Sequence, residues 1–148
     1  MTSIRRILFA TDLSKASGKA FAAAMALAKA NRAAMTILHV VVPFTPVVSE
    51  QYLAPETFEQ INIEMRRSSK RHVAKLIDRT KKAGVRAAGL IVEGHPAREI
   101  VRTARSKRVD LIILGTHGRT GINKLFVGSV AARVVATAPC PVMTVRGS

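Results

Sequence analysis

Four residues at fixed spacing carry the most chemical information in this sequence. Gly115 and Gly118 are followed, after nine intervening residues, by Gly128 and Ser129. They come after the apolar run Asp110–Leu114 (DLIIL) and lead into a segment with helical spacing. A phosphate group needs such an arrangement. Glycines let backbone N–H groups come close to an anion. A helix N-terminus adds free donors and a partial positive charge. The Ser129 hydroxyl adds one more donor, and His117, Arg119 and Lys124 stand in or beside the loop. The pattern is not a Walker A loop, because no Gly-Lys-Ser/Thr follows. It is not the dinucleotide fingerprint either, because Gly115, Gly118 and Gly121 space as GxxGxxG. Spacing alone leaves two readings open: a phosphate cradle, or a loop whose glycines only make turns.

Other reactive side chains are scattered. His39 lies inside an apolar run and reads as a satisfied core or rim residue; His72 falls on a basic helix, and His95 precedes Pro96 in a turn. The four histidines have no metal-ligand spacing, so a metal held by protein alone is not expected. Cys140, between Pro139 and Pro141, reads as a packing residue beside the last strand. Glu93 and Asp110 are isolated acids near strand ends, and neither makes a general base beside the glycine loop. No nucleophile–base pair is evident, so slow turnover through positioning is the most catalysis expected.

The elements that must position these residues follow from hydrophobic periodicity. Apolar strands are predicted at Ile4–Ala10, Met35–Val42, Arg86–Glu93, Asp110–Leu114 and Val142–Val145. Helices are predicted from Lys15, with Ser14 as cap, to about Asn31, and from Glu56 to about Ala83. Two more run from Pro96 to about Lys107 and from Gly128-Ser129 to before Pro139. In the second helix, RRSSKR (Arg66–Arg71) interrupts the apolar stripe and leaves its continuity open. Pro43 to Pro55 reads as a loop. Strands alternating with helices give an α/β fold, a parallel sheet with helices on both faces. Ligands of such sheets bind outside the carboxyl ends of the strands.

Composition narrows the class. The 148 residues fit one domain, 1–148, with no linker or repeat. A single cysteine excludes intrachain disulfides and multi-cysteine metal sites. The longest uncharged stretch, Ala33–Ser49, is short for a helical span and carries Pro43 and Pro46. No signal-peptide apolar region follows Arg5-Arg6, so a cytoplasmic protein without membrane association is expected. The formal charge of +15 favours polyanionic partners.

Several segments together resemble the universal stress protein family over essentially the whole chain. These are ILFATDLS (Ile7–Ser14), LHVV (Leu38–Val41), VEGHPAREI (Val92–Ile100), DLIILGTHGRTG (Asp110–Gly121), GSVAARVV (Gly128–Val135) and APCPVMTV (Ala138–Val145). The resemblance implies a Rossmann-like open five-stranded sheet of order 3-2-1-4-5 and a homodimer. The family's ATP-binding members carry a G-2x-G-9x-G-S/T motif, matched here by Gly115, Gly118, Gly128 and Ser129. By that carry-over Asp12 lies near the adenosine, Val40 contacts the adenine, and Ala10 and Thr11 line the same wall. The set expected to bind ATP is therefore Ala10, Thr11, Asp12, Val40, Gly115, His117, Gly118, Arg119, Gly128, Ser129 and Val130, with Mg²⁺ arriving on the phosphates. Asp12 has a physical case of its own, since a carboxylate at a strand end accepts from a ribose hydroxyl or the adenine amino group. The competing roles for it are a helix cap or an ion pair with Lys15.

Two expectations concern partners. Val142–Val145 reads as a terminal strand whose open edge invites a second copy of the chain. Residues 66–82 and 98–108 are strongly basic. They are a solvated face or a polyanion patch. The lack of tryptophan and the single tyrosine argue against base stacking, so nucleic-acid binding would be weak, electrostatic and salt-sensitive.

Overall fold

The computed structural model describes residues 3–44, 54–116 and 127–147. Five strands, β1 (Arg6–Ala10), β2 (Ala34–Val41), β3 (Ala87–Glu93), β4 (Leu111–Gly115) and β5 (Val142–Val145), form one sheet. All pairings are parallel, and the order is β3-β2-β1-β4-β5, as the resemblance implies. Four helices connect them: α1 (Gly18–Asn31), α2 (Pro55–Lys82), α3 (Pro96–Ser106) and α4 (Ser129–Thr137).

Side-chain alternation on the central strands builds two cores. On β1 and β4, Ile7, Phe9, Leu111 and Ile113 face one side, where α1 and α2 cover them. Leu8, Ala10, Ile112 and Leu114 face the other, under α3 and α4. Burial on both faces explains why β1 and β4 read as nearly unbroken apolar runs. In α1, Ala20, Ala24 and Ala28 recur every four residues and are buried, so their small side chains let the helix lie close to the sheet. Phe21 joins the two helices on that face, its ring 5.6 Å from that of Phe9 and 4.9 Å below the Arg79 guanidinium of α2.

The structure differs from the periodicity reading in three places. First, α2 is continuous through residues 66–71. Its inner stripe runs Phe58, Ile61, Met65, Ser69, Val73, Leu76, Ile77 and Thr80, and the buried Ser69 fills the step that looked like a break. A serine is small enough to sit on the inner face, and hydropathy does not register it. Second, the chain enters the first helix through a 3-10 turn, Lys15–Ser17, and the α-helix begins only at Gly18. The Ser14 side chain makes no capping bond there. Its backbone N–H instead donates to Asp12 Oδ1 at 2.9 Å, and Ser17 Oγ donates to the Ser14 carbonyl at 2.7 Å. Third, β1 starts at Arg6, not Ile4. The Pro43–Pro55 loop lies largely outside the described residues.

The start of β1 is set by a carboxylate. Asp110 accepts from the backbone N–H groups of Arg5 and Arg6, both at 2.8 Å. The Arg5 N–H bond first, and the Arg6 N–H bond and both arginine charges after it, hold the Asp110 carboxyl below its ordinary value, against a smaller opposing effect of burial. A carboxyl whose folded pKa is depressed stabilises the fold above its unfolded pKa, and that stabilisation is lost as pH falls through the folded pKa. Asp110→Ala should lower unfolding stability by about 1–2 kcal/mol at neutral pH. The difference from wild type should shrink below about pH 4, where the unfolded carboxyl itself protonates. Urea denaturation at pH 7 and pH 3 measures both; a difference that does not change with pH would contradict the assignment.

Candidate functional site

β1 sits between β2 and β4, and from it the chain is laid down in opposite directions along the sheet. Just beyond the carboxyl ends of β1 and β4 the connections therefore part, and a cleft opens there. Two local devices shape its walls.

The first is the turn after β1. The Thr11 N–H donates to the Leu38 carbonyl at 2.9 Å, and His39 Nδ1 lies 2.9 Å from the Thr11 carbonyl, so β2 grips this residue on both sides. A carbonyl only accepts, so His39 Nδ1 carries the proton. Thr11 Oγ1 accepts from the Leu13 N–H at 2.9 Å and donates to Ser17 Oγ at 3.0 Å. Leu13 takes up the left-handed conformation, φ 65°, to turn the chain. Within this turn Asp12 Oδ1 is used by the Ser14 N–H, whereas Asp12 Oδ2 is buried without a hydrogen-bond partner. A buried carboxylate oxygen in that state is costly unless something donates to it.

The second device is the entry to α4. The Gly128 N–H donates to the Thr116 carbonyl at 2.6 Å, tying the start of α4 to the end of β4. A Cβ on Gly128 would sit 2.8 Å from that same oxygen, so only glycine allows the approach. The first turn of α4 contains no acidic residue and no side-chain cap. The Ser129, Val130 and Ala131 N–H groups stand at the helix start, where no intrahelical acceptor is available.

The resulting cleft measures about 820 Å³ including the solvent at its mouth. Of the residues singled out from sequence, Ala10, Thr11, Asp12, Val40, Gly115, Gly128, Ser129 and Val130 all line it. His117, Gly118 and Arg119 lie outside the described residues. Sequence reasoning missed Leu38, Leu114, Thr116, Ser17 and Ala131, and the α3 residues Pro96 and Ile100. Leu38 is legible as the residue two before Val40, on the same face of β2. Pro96 and Ile100 belong to no ligand motif; only the parallel topology brings the start of α3 to this end of the sheet.

The remaining candidates fall elsewhere. Glu93 pairs with Arg66, and Asp110 holds Arg5 and Arg6; neither lines the cleft. His72 is exposed on α2, with Nδ1 2.8 Å from the Ser68 carbonyl. His95 stands exposed before α3, its side chain making no cap. Cys140 is half-buried against the α3–α4 core, and burial, then the Asp110 charge, push its thiol up. Asp12 forms no ion pair with Lys15 among the described residues. Its turn-holding role is real, but it occupies one oxygen only.

A doubly wound parallel sheet with a cleft at its switch point defines a ligand-binding α/β architecture. The pattern of the universal stress protein family matches residues 3–146, and the chain belongs to that family. It is 32% identical over 145 residues to universal stress protein YxiE of Bacillus subtilis, covering 95% of this chain and 98% of the relative. Among solved structures, universal stress protein UspA of Lactobacillus plantarum superposes with a TM-score of 0.84 at 25% identity, covering 99% of this chain and 100% of that one. A universal stress protein solved in complex with cAMP shares the fold, with a TM-score of 0.71 at 24% identity over 99% and 100% of the two chains.

The two glycines at helix starts offer a matched test of this geometry. Gly128→Ala drives a Cβ into the Thr116 carbonyl and should cost about 1–2 kcal/mol of unfolding stability. Gly18→Ala meets nothing within 4 Å, at φ −62°, and should be neutral or stabilising by about 0.5 kcal/mol. Denaturant titration of both variants checks the pair, and equal losses would contradict the close approach at Gly128.

Proposed function

We propose that this chain binds ATP, or another adenine nucleotide, in the cleft between β1, β4 and α4, and serves as a nucleotide-dependent stress-response or signalling module. The observation that carries this reading is the buried Asp12 Oδ2 without a partner, on a cleft whose other wall is an uncapped helix start. A ribose hydroxyl or the adenine amino group supplies the donor that this oxygen needs. Ala10, Leu38 and Val40 form an apolar wall for the base. Phosphates fit the opposite end, where the Ser129–Ala131 N–H groups, the Ser129 hydroxyl and the α4 dipole favour negative charge. The intact Gly115, Gly118, Gly128 and Ser129 spacing supports the same reading, and the +15 charge favours capture of an anion. Among the described residues no group of three or more acids, histidines or cysteines could hold a metal, so Mg²⁺ would enter on the nucleotide's phosphates.

Calorimetric titration with ATP tests the proposal. Asp12→Ala should weaken binding about tenfold or more, the worth of a hydrogen bond to a charged group. Gly118→Val should abolish it with the fold retained by circular dichroism, because the phosphate reading of the motif requires glycine at this position and valine is stiff and β-branched. Arg67→Ala, on the outer face of α2, controls for general charge attraction and should change little. Equal affinities for wild type, Asp12→Ala and Gly118→Val would move the site elsewhere.

The same reading extends to assembly. Among the described residues β5 pairs only with β4 and forms one border of the sheet, with Met143 exposed on it. An open strand edge of this kind is a template for a second chain, and we propose a homodimer through Val142–Val145. Light scattering at micromolar concentration should give twice the 16.0 kDa chain mass. A mass of one chain would contradict it.

A further inference from the structure

The two basic stretches of the chain differ once folded. On α2 the cations stand among acids: Arg71 pairs with Glu64, Lys82 with Asp78, and Arg66 with Glu93 of β3. On α3 they gather along one groove. Arg98, Arg102 and Arg105 recur at i, i+4 and i+7, so they share one face of the helix. Arg133 joins them from α4, and the buried Ala97 and Val101 line the groove between the two helices. The groove measures about 1340 Å³ including the solvent at its mouth, and it shares no lining residue with the β1–β4–α4 cleft. None of the described residues lining it is acidic. Arg98, Arg105 and Arg133 form no ion pair with any described carboxylate. Arg102 meets Glu99 at 3.5 Å, yet its side chain stays 70% exposed, and so open a contact withholds little charge from a ligand. The basic track continues past the end of α3. There the Arg6 guanidinium donates to the Lys107 carbonyl at 3.3 Å, which brings Arg6 and Lys107, both exposed, to the far end of the groove. The acid that follows, Asp110, is occupied by the Arg5 and Arg6 N–H groups.

Arginine forks without carboxylate partners suit phosphate and carboxylate oxygens alike. Length and lining separate the candidate partners. Arg98 to Arg105 spans about 10 Å of helix, and one strand of a duplex advances about 3.4 Å per phosphate, so the row faces about three consecutive phosphates. A duplex runs on beyond that length and has phosphates for Lys107 and Arg6 as well, an extension that a short acidic peptide leaves unused. No aromatic side chain lines the groove, so bases cannot stack there and a single strand gains nothing over a duplex. We propose that the α3–α4 groove is a docking surface for the phosphate backbone of double-stranded nucleic acid, with Arg98, Arg105 and Arg133 as its principal contacts. Binding there neutralises phosphates and reads no base sequence. It does not depend on nucleotide binding in the cleft.

Fluorescence anisotropy of a short labelled DNA duplex of mixed sequence, titrated with the full chain, tests the groove. Affinity should fall between about 0.05 and 0.2 M salt with a log–log slope of about −3 to −4, one phosphate for each of the four groove arginines. Arg98→Ala/Arg105→Ala should weaken binding about tenfold or more at the lower salt and bring the slope about 2 closer to zero. Arg67→Ala/Lys70→Ala removes the same charge from the exposed face of α2 and should weaken binding less than about threefold, the share due to general attraction. All four residues are exposed, so both double variants should keep the wild-type circular dichroism. Any of four results would overturn the site. Equal losses from the two double variants would leave net charge as the whole cause. Poly-glutamate competing as well as unlabelled duplex at equal charge would make the groove a carboxylate site. Tighter binding of the matching single strand, or no saturable binding at the lower salt, would remove the duplex.

Discussion

Burial of β1 and β4 on both faces is the constraint on which the remainder of the structure depends. Ile7, Leu8, Phe9, Ile112 and Ile113 are fully shielded from water, so no polar chemistry is possible along the middle of the sheet. Function is pushed to the strand ends, where the backbone leaves the ladder and side chains regain access to solvent. Among the described residues most of the basic side chains therefore lie on helices and turns, and the cleft itself is lined by small, apolar and hydroxyl residues with Asp12 as the titratable group among those described.

The turn from Thr11 to Ser17 converts that constraint into a site. It is anchored from below by the Thr11–Leu38 and His39–Thr11 contacts and from within by the Thr11–Ser17 hydroxyl pair. Those bonds fix the backbone while leaving two side-chain oxygens, Asp12 Oδ2 and Ser14 Oγ, without partners. Buried polar groups in folded proteins are nearly always satisfied, so these two oxygens are the atoms of the turn left for water or a ligand to satisfy.

Much of this was legible in the sequence, and for identifiable reasons. Strands covered on both faces leave apolar runs, and the glycine spacing marks the α4 entry, because Gly128 stands where a Cβ would strike the Thr116 carbonyl. Asp12 was legible through the family pattern as a residue of this turn; the ion pair with Lys15 offered as an alternative does not form among the described residues, and Oδ1 instead holds the Ser14 N–H. What hydropathy hid was the continuity of α2, because the buried Ser69 does not register as apolar. It also hid Pro96 and Ile100, which reach the cleft only through the sheet order.

The most direct test of nucleotide binding in the cleft is hydrogen–deuterium exchange of the whole chain with and without saturating ATP. Protection should concentrate in residues 10–17 and 128–131, the two segments that meet across the cleft. Unchanged exchange in both segments, or protection restricted to the basic stretch 66–82, would contradict it.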